Sequence, residues 1–299
     1  MTFSSSSNSP TGRCLASGQR TVVSTVGADG TRQDVFDTRD LLLEAPNWTL
    51  DGQALILNGA GRLWRLDLGS GRLAEIAIGD VSDLNNDHVL DPDGEHIFLS
   101  AGDGNIYRAP LAGGSSKRIT PDDGLLHFLH GVSPDGREIA FIGIERRSGT
   151  EWGPGSVYTL ALDEGKSRRL TIGAAREDGS EYSRDGKWIY FNTERFDGHA
   201  QIARMRTDGS DVQQLTFDES VNWFPHLAPT GNFAVYLAFP PGTEGHPADR
   251  QVDVMLVRDG HWSEARPVAR VFGGQGTMNV NGWDPSGAQF AIVSYPIEE

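Results

Sequence analysis

The sequence predicts an all-β protein, a six-bladed β-propeller of four-stranded antiparallel blades. A short turn followed by an apolar strand recurs six times, with the turn glycines 42 to 56 residues apart, near the period of roughly 40–45 residues typical of a propeller blade. The 37 glycines and 15 prolines suit many short strands joined by turns. The final repeat stops after two strands, and two unmatched strands near the N-terminus would complete it.

Leu129–Phe141 is the clearest repeat and shows why each is expected to form a hairpin. Its turn, Ser133–Gly136, places proline where φ is preset, aspartate where it can bond its own backbone, and glycine at the strained last position. The strand that follows is apolar on both faces, and such a strand must be covered on both sides. The corresponding turn glycines are Gly52, Gly94, Gly136, Gly186, Gly231 and Gly287.

The two ends of the chain are predicted to close the ring. Thr21–Val26 and Gln33–Phe36 are the expected outer strands, which pair with the inner strands around Gly287 and so remove a free sheet edge. Residues 1–19 are rich in serine and are predicted to form a disordered tail. Residues 20–299 are predicted to form a single propeller domain.

Charge and composition limit the classes of partner that this protein is expected to bind. The formal net charge is -15, and so acidic a surface repels nucleic acid and anionic lipid. We therefore expect a small molecule, an oligosaccharide or a protein as partner, with no nucleic acid and no membrane insertion. Cys14 is the single cysteine, which excludes an intrachain disulfide. The N-terminus has no apolar run of the signal-peptide kind, which predicts a cytoplasmic protein, or a periplasmic one if a leader is missing.

The repeats resemble those of the TolB-type β-propeller family. The resemblance covers about residues 20–299 and is carried best by Leu129–Phe141, Glu181–Phe191 and Asn222–Thr230. It implies a six-bladed propeller and does not extend to the separate N-terminal domain of TolB.

Strand direction predicts which face carries a site. We name the strands of each repeat A to D in chain order. Because strand A runs into the A–B turn, the short A–B and C–D turns share one face, and the longer B–C loops and D–A connections share the other. Function concentrates in loops on a rigid scaffold, so the site is expected on the D–A face, at the mouth of the channel. The predicted ligand-binding residues there are Glu44, Asn47, Asn86, His127, Trp223, His246 and Asn279.

Three histidines fall at nearly the same position of their repeats. His88 and His130 lie six residues before their turn glycines, and His226 lies five before. Converging imidazoles with a carboxylate or an amide suit a divalent metal, and the candidates are Mn, Zn and Ca. The repeats are also similar in type to those of oligogalacturonate lyases, which hold manganese with histidines and a glutamine. That similarity implies His88, His130, His226 and Gln275 as metal ligands.

Two functions follow from these patterns. The first is a TolB-like propeller that binds a ligand or a protein at the channel mouth. The alternative is a metal-dependent carbohydrate-active lyase or hydrolase, with Glu181 and Asp87 as its acid–base residues. A structural interpretation competes with both, because histidines at this position can also bond to neighbouring blades. The long B–C loops Glu145–Gly155 and Phe239–Asp249 are expected to overhang the mouth.

Overall fold

The computed structural model describes residues 13–145 and 153–298. In these ranges 23 strands form six sheets, which are the blades of a propeller. The all-β, six-bladed prediction is confirmed. Most of the predicted overhanging loop Glu145–Gly155 lies outside the described residues.

Five blades are continuous in the chain, and in each the strands follow one another from A to D across the sheet. Blade 1 contains β3 (Glu44–Trp48), β4 (Ala54–Gly59), β5 (Arg62–Asp67) and β6 (Leu73–Ile76). Blade 2 contains β7 (Leu84–Leu90), β8 (His96–Ala101), β9 (Ile106–Pro110) and β10 (Lys117–Arg118). Blade 3 contains β11 (Leu125–Val132), β12 (Glu138–Glu145), β13 (Ser156–Ala161) and β14 (Lys166–Arg169).

Blades 4 and 5 continue the same pattern. Blade 4 contains β15 (Glu177–Tyr182), β16 (Trp188–Thr193), β17 (Gln201–Arg206) and β18 (Gln213–Gln214). Blade 5 contains β19 (Val221–Leu227), β20 (Phe233–Phe239), β21 (Ala248–Arg258) and β22 (Arg266–Gly274), with a 3₁₀ turn at Trp262–Glu264 between its last two strands. The A strands of neighbouring blades contact one another, which places them innermost, around the channel.

Blade 6 closes the ring as the sequence predicts. Its strands are β23 (Gln289–Ser294), β1 (Thr21–Gly27) and β2 (Arg32–Thr38), in that order across the sheet. The pairing of β1 with β23 is antiparallel and sets Val23 opposite Val293. A bridge between Trp283 and Phe290 adds the innermost position. The N-terminal and C-terminal strands therefore pair within one sheet, so the edges of β1 and β23 that face each other are both hydrogen-bonded.

The packing between blades explains the strands that are apolar on both faces. Alternate side chains of β12 point to opposite neighbours. Phe141 packs with Phe98 of blade 2, whereas Ile142 packs with Phe191 of blade 4. Each such side chain is fully or almost fully buried, which stabilises the fold by roughly 1.5–3 kcal/mol per residue. The core is thus a ring of apolar layers between blades.

The A–B turns close the opposite face of the propeller. Ser133 Oγ accepts the backbone N–H of Glu138 at 2.9 Å, and Gly136 takes a φ of 69°, as its position in the turn requires. Each turn also reaches the next one. A Cβ atom at Gly186 would lie 3.8 Å from Cδ of Pro134, so the proline of one turn lies against the glycine of the following turn.

Residues 13–19 pack on the propeller, although the sequence suggests a tail up to residue 19. Leu15 contacts the apolar cluster that contains Leu43 and Tyr295, and Gln19 donates to Asp249 Oδ1 at 2.6 Å. The rest of the predicted tail, residues 1–12, lies outside the described residues. Within the described ranges, no helix is long and apolar enough to cross a membrane.

Candidate functional site at the channel mouth

The A strands are irregular where they begin, on the D–A face. In the five continuous blades, the A–B pairing slips in register along strand A, at Glu44/Asn47, Leu84/His88, Leu129/Gly131, Asp178/Glu181 and Trp223/His226. At three of these breaks the backbone enters the left-handed region, with φ of 54° at Ala45, 64° at Gly179 and 55° at Phe224. Bulges of this kind re-aim side chains, so residues before and after the break serve different purposes.

Residues after the break hold neighbouring blades together. Glu181 is the best example, because Oε1 accepts the N–H of Leu227 at 2.8 Å and the amide of Asn281 at 2.9 Å. Its Oε2 accepts a hydrogen bond from Nδ1 of His226 at 2.7 Å. Nε2 of His226 in turn lies 2.8 Å from the carbonyl oxygen of Met278. Glu181, predicted as a catalytic residue, therefore links blades 4, 5 and 6.

Asn47, His88 and His127 make similar links. Asn47 donates to the carbonyl of Asn281 at 2.6 Å and accepts the N–H of Leu90 at 3.1 Å. His88 Nε2 lies 3.4 Å from the carbonyl oxygen of Ile56, and burial lowers the pKa of His88 to about 4. His127 Nδ1 lies 2.9 Å from the carbonyl oxygen of Gly104. Asn47 thus bonds the blades on both sides, whereas His88 and His127 bond the preceding blade, although His127 lies before the break in its strand.

A second set of side chains gathers around the channel opening itself. His130 Nε2 lies 2.6 Å from Asp178 Oδ1, and His246 Nε2 lies 3.5 Å from Asp178 Oδ2. Nδ1 of His246 is hydrogen-bonded to Oε1 of Gln275. The side chains of Asp178 and His246 stay 21% and 26% exposed. We call this set the mouth cluster: Asn86, Asp87, His130, Asp178, His246, Gln275 and Asn279.

A chain of amides orders one side of the mouth cluster. The backbone N–H of Gly276 donates to Asn279 Oδ1 at 2.7 Å. The amide nitrogen of Asn279 donates to Gln275 Oε1 at 3.2 Å, and the amide nitrogen of Gln275 donates to Asn86 Oδ1 at 3.1 Å. Asp87 follows Asn86 and accepts from Asn85 Nδ2 at 2.8 Å. Blades 2, 3, 4, 5 and 6 each contribute to the cluster.

The charges in the mouth cluster depend on one another. Burial disfavours ionisation of Asp178, but His130 and His246 outweigh it and hold the pKa of Asp178 well below its ordinary value. Burial also disfavours the charged form of His130, yet the charges of Asp178 and Asp87 raise the pKa of His130 to about 9. For Asp87, burial dominates and raises its pKa to about 6. At neutral pH an imidazolium thus lies between two carboxyl groups.

Arg13 covers the mouth on the side of blade 1. Its guanidinium lies 2.7 Å from Glu44 Oε1, donates to the carbonyl of Gln275 at 2.7 Å, and lies 4.2 Å from the centre of the Tyr295 ring. Glu44, predicted to bind ligand, is therefore paired within the chain. No sequence pattern points to Arg13, which lies in a serine-rich segment. Asp178 has a weak signal, its place in the same D–A connection as Glu181.

Trp223 packs against His246 of the mouth cluster. Its side chain is buried, with 5% exposure, so it offers little face for stacking on a sugar. The ring centre lies 4.4 Å from that of His246, and the Phe224 ring lies 5.0 Å from the same histidine. The two aromatic rings therefore hold the His246 imidazole in place.

The residues predicted to bind manganese, zinc or calcium do not meet as a ligand set. Within residues 13–145 and 153–298, no group of three or more His, Cys, Asp or Glu side chains is arranged to hold a metal ion. His88, His130 and His226 each face a different protein acceptor, respectively Ile56, Asp178 and the Glu181–Met278 pair. The arrangement of these side chains does not fit the predicted metal.

Replacing Glu181 by alanine tests its role as a link between blades. The change leaves the N–H of Leu227, the amide of Asn281 and Nδ1 of His226 without their acceptor. We expect the free energy of unfolding to fall by about 3–5 kcal/mol, as for a broken buried pair, measured by urea denaturation. The exposed Glu219→Ala serves as control and should change it by less than about 0.5 kcal/mol. Equal stabilities of the two variants would contradict the assignment.

The raised pKa of His130 makes part of the stability depend on pH. A histidine with a folded-state pKa of about 9, above its ordinary value, stabilises the fold fully below about pH 6.5 and loses that contribution as pH rises through about 9. In urea unfolding from pH 6 to pH 10, the stability difference between the wild type and His130→Gln should therefore shrink. A difference that stays constant over this range would refute the charged pairing with Asp178 and Asp87.

Comparison with known proteins agrees with this architecture. The family described as TolB beta propeller domain matches residues 131–253. An uncharacterised protein of Agrobacterium fabrum is 39% identical over 263 residues, which cover 86% of each chain. A solved structure of a TolB candidate from Agrobacterium tumefaciens is 36% identical, with a TM-score of 0.86 over 93% of this chain and 99% of that one.

A more distant likeness concerns the fold alone. An oligogalacturonate lyase in complex with manganese superimposes with a TM-score of 0.56 at 14% identity, over 85% of this chain and 74% of that one. That enzyme therefore shares the propeller fold with this chain. Given the close relatives and the matching blade architecture, this chain belongs to the TolB-type β-propeller family.

Proposed function

We propose that this protein is a binding propeller whose mouth cluster takes a polar ligand or a polar segment of a partner protein. The observation that carries the proposal is the partial exposure of Asp178 and His246 at the centre of a cluster assembled from five blades. Side chains that only join blades, such as His226 and His88, are almost fully buried by comparison.

The order within the cluster supports binding. Gln275 and Asn279 are fixed by hydrogen bonds, and the His246 ring is held by Trp223 and Phe224. A partner therefore meets groups that have already lost their rotational freedom, which reduces the entropic cost of association.

The charge of the protein further limits the kind of chemical group that can bind at the mouth. The chain carries a net charge of -15, and the nearby cations Arg13 and Arg195 are already paired with Glu44 and Glu177. Neutral polar or cationic groups are therefore favoured over anions at the mouth. The cytoplasmic location predicted from the sequence stays a prediction, as does the identity of the partner.

A thermal-shift screen with two histidine variants tests this proposal. The wild type, His246→Ala and His261→Ala are melted with a panel of short peptides and oligosaccharides. His261 is an exposed residue near the opposite face and serves as the matched control. A true ligand at 100 times its Kd adds about 2.7 kcal/mol of stability, so we expect Tm to rise by several degrees in the wild type and in His261→Ala only.

Equal Tm shifts in the wild type and in His246→Ala would contradict ligand binding at the mouth. If every ligand that raises Tm of the wild type raises that of His246→Ala equally, binding occurs elsewhere on the propeller.

A further inference from the structure

We propose that the mouth cluster recognises an organic cation, an ammonium or guanidinium group, which donates hydrogen bonds to Nε2 of His246 and Oδ2 of Asp178 together. This inference rests on the proposed function, since it assigns a ligand class to the same site. It follows from hydrogen-bond polarity, starting at one backbone N–H.

The backbone fixes the tautomer of His246. The N–H of Gly276 can only donate, so its partner on Asn279 is the amide oxygen. The nitrogen of Asn279 is then the atom that faces Gln275, and the Gln275 atom it meets must be the oxygen. That oxygen also faces Nδ1 of His246. Nδ1 must therefore carry the hydrogen, and Nε2 of the neutral ring presents a lone pair.

That lone pair faces a second acceptor. Nε2 of His246 lies 3.5 Å from Oδ2 of Asp178, while the other carboxylate oxygen is already bound by His130 at 2.6 Å. Two acceptors cannot satisfy each other, and buried or half-buried acceptors without a donor are costly. The space between Nε2 of His246 and Oδ2 of Asp178 can hold either a proton on His246 or an N–H donor of a bound ligand.

The surrounding charge selects a cation. Burial disfavours ionisation of Asp178, but the charge of His130 and its hydrogen bond to Oδ1 hold the pKa of Asp178 low, and Asp87 adds a second carboxyl group nearby. His130 supplies a single compensating positive charge. Hydrogen bonds between an ionised donor and an ionised acceptor are about twice as strong as neutral ones, and an ammonium group offers three donors and a guanidinium five.

The groups that face His246 are few and come from separate elements. They are Asp178 of β15, Asp87 of β7, Gln275 after β22, and the Trp223 and Phe224 rings of β19. A proton on Nε2 competes with the cation for the same lone pair.

The test uses two small probes, one with and one without an ammonium group. N-acetyl-lysine amide and the uncharged N-acetyl-norleucine amide are titrated at pH 8 into the isotope-labelled full chain, and the backbone amide signals of Asp178 and Gly276 are followed by NMR. We expect the lysine probe to shift these signals to saturation and the norleucine probe to leave them unchanged.

Two variants keep the result interpretable. Asp178→Asn should bind the lysine probe at least about tenfold more weakly, as expected for a lost charged hydrogen bond. His246→Phe preserves the aromatic packing with Trp223, leaves the Asp178–His130 pair intact and should weaken binding similarly. Asp185→Asn, an exposed change in the A–B turn of the same blade, is the matched control and should bind like the wild type.

The outcomes separate this inference from the proposed function. Equal shifts with both probes, or lysine binding that both mouth variants retain, would overturn the cation assignment. If the thermal-shift screen finds a ligand that depends on His246 but carries no positive charge, the cation assignment fails and the mouth remains the binding site. If no ligand depends on His246, both fail.

Discussion

The hydrogen bonds that Glu181 accepts from Leu227, His226 and Asn281 are the interaction on which the mouth of this propeller depends. They join three blades at the point where strand A leaves its regular pairing. Apolar layers hold the blades side by side but allow small slides, because hydrophobic contact has no direction. A buried, fully bonded carboxylate fixes the relative height of the blades, and with it the positions of Asp178 and His246.

Because of its register break, strand A both bonds the neighbouring blades and contributes side chains to the channel opening. Residues after the break, such as Asn47, His88 and His226, bond the neighbouring blades. Residues before it, such as Asp178, reach the channel opening, and the B–C loop of blade 5 adds His246. Burial separates the two groups chemically as well. His88 is kept neutral, with its pKa lowered to about 4, whereas His130 between two carboxyl groups is kept charged.

The sequence is sufficient for the fold because its signals are local and repeated. Turn chemistry at Ser133–Gly136 and two-sided apolar strands such as β12 predict hairpins covered on both sides, and the leftover strands predict the closure by β1 and β2. The site is only half predictable. His130, His246, Gln275, Asn86 and Asn279 lie together at the mouth, whereas Glu181 and His226 turn toward neighbouring blades, and ligand binding by the first set stays a prediction. Equal spacing from a turn glycine does not reveal on which side of a bulge a side chain falls, and Arg13 has no periodic signal.

The tautomer of His246 decides whether the mouth presents two acceptors, since the backbone N–H of Gly276 fixes that tautomer through Asn279 and Gln275. The ring nitrogens of His246 can be assigned by nitrogen-15 NMR of histidine-labelled protein, at a pH where this imidazole is neutral. We expect the hydrogen on Nδ1 and none on Nε2. In Gln275→Leu the ring should no longer prefer this tautomer. A neutral ring with its hydrogen on Nε2 would contradict the fixed amide chain and the acceptor pair that it creates at the mouth.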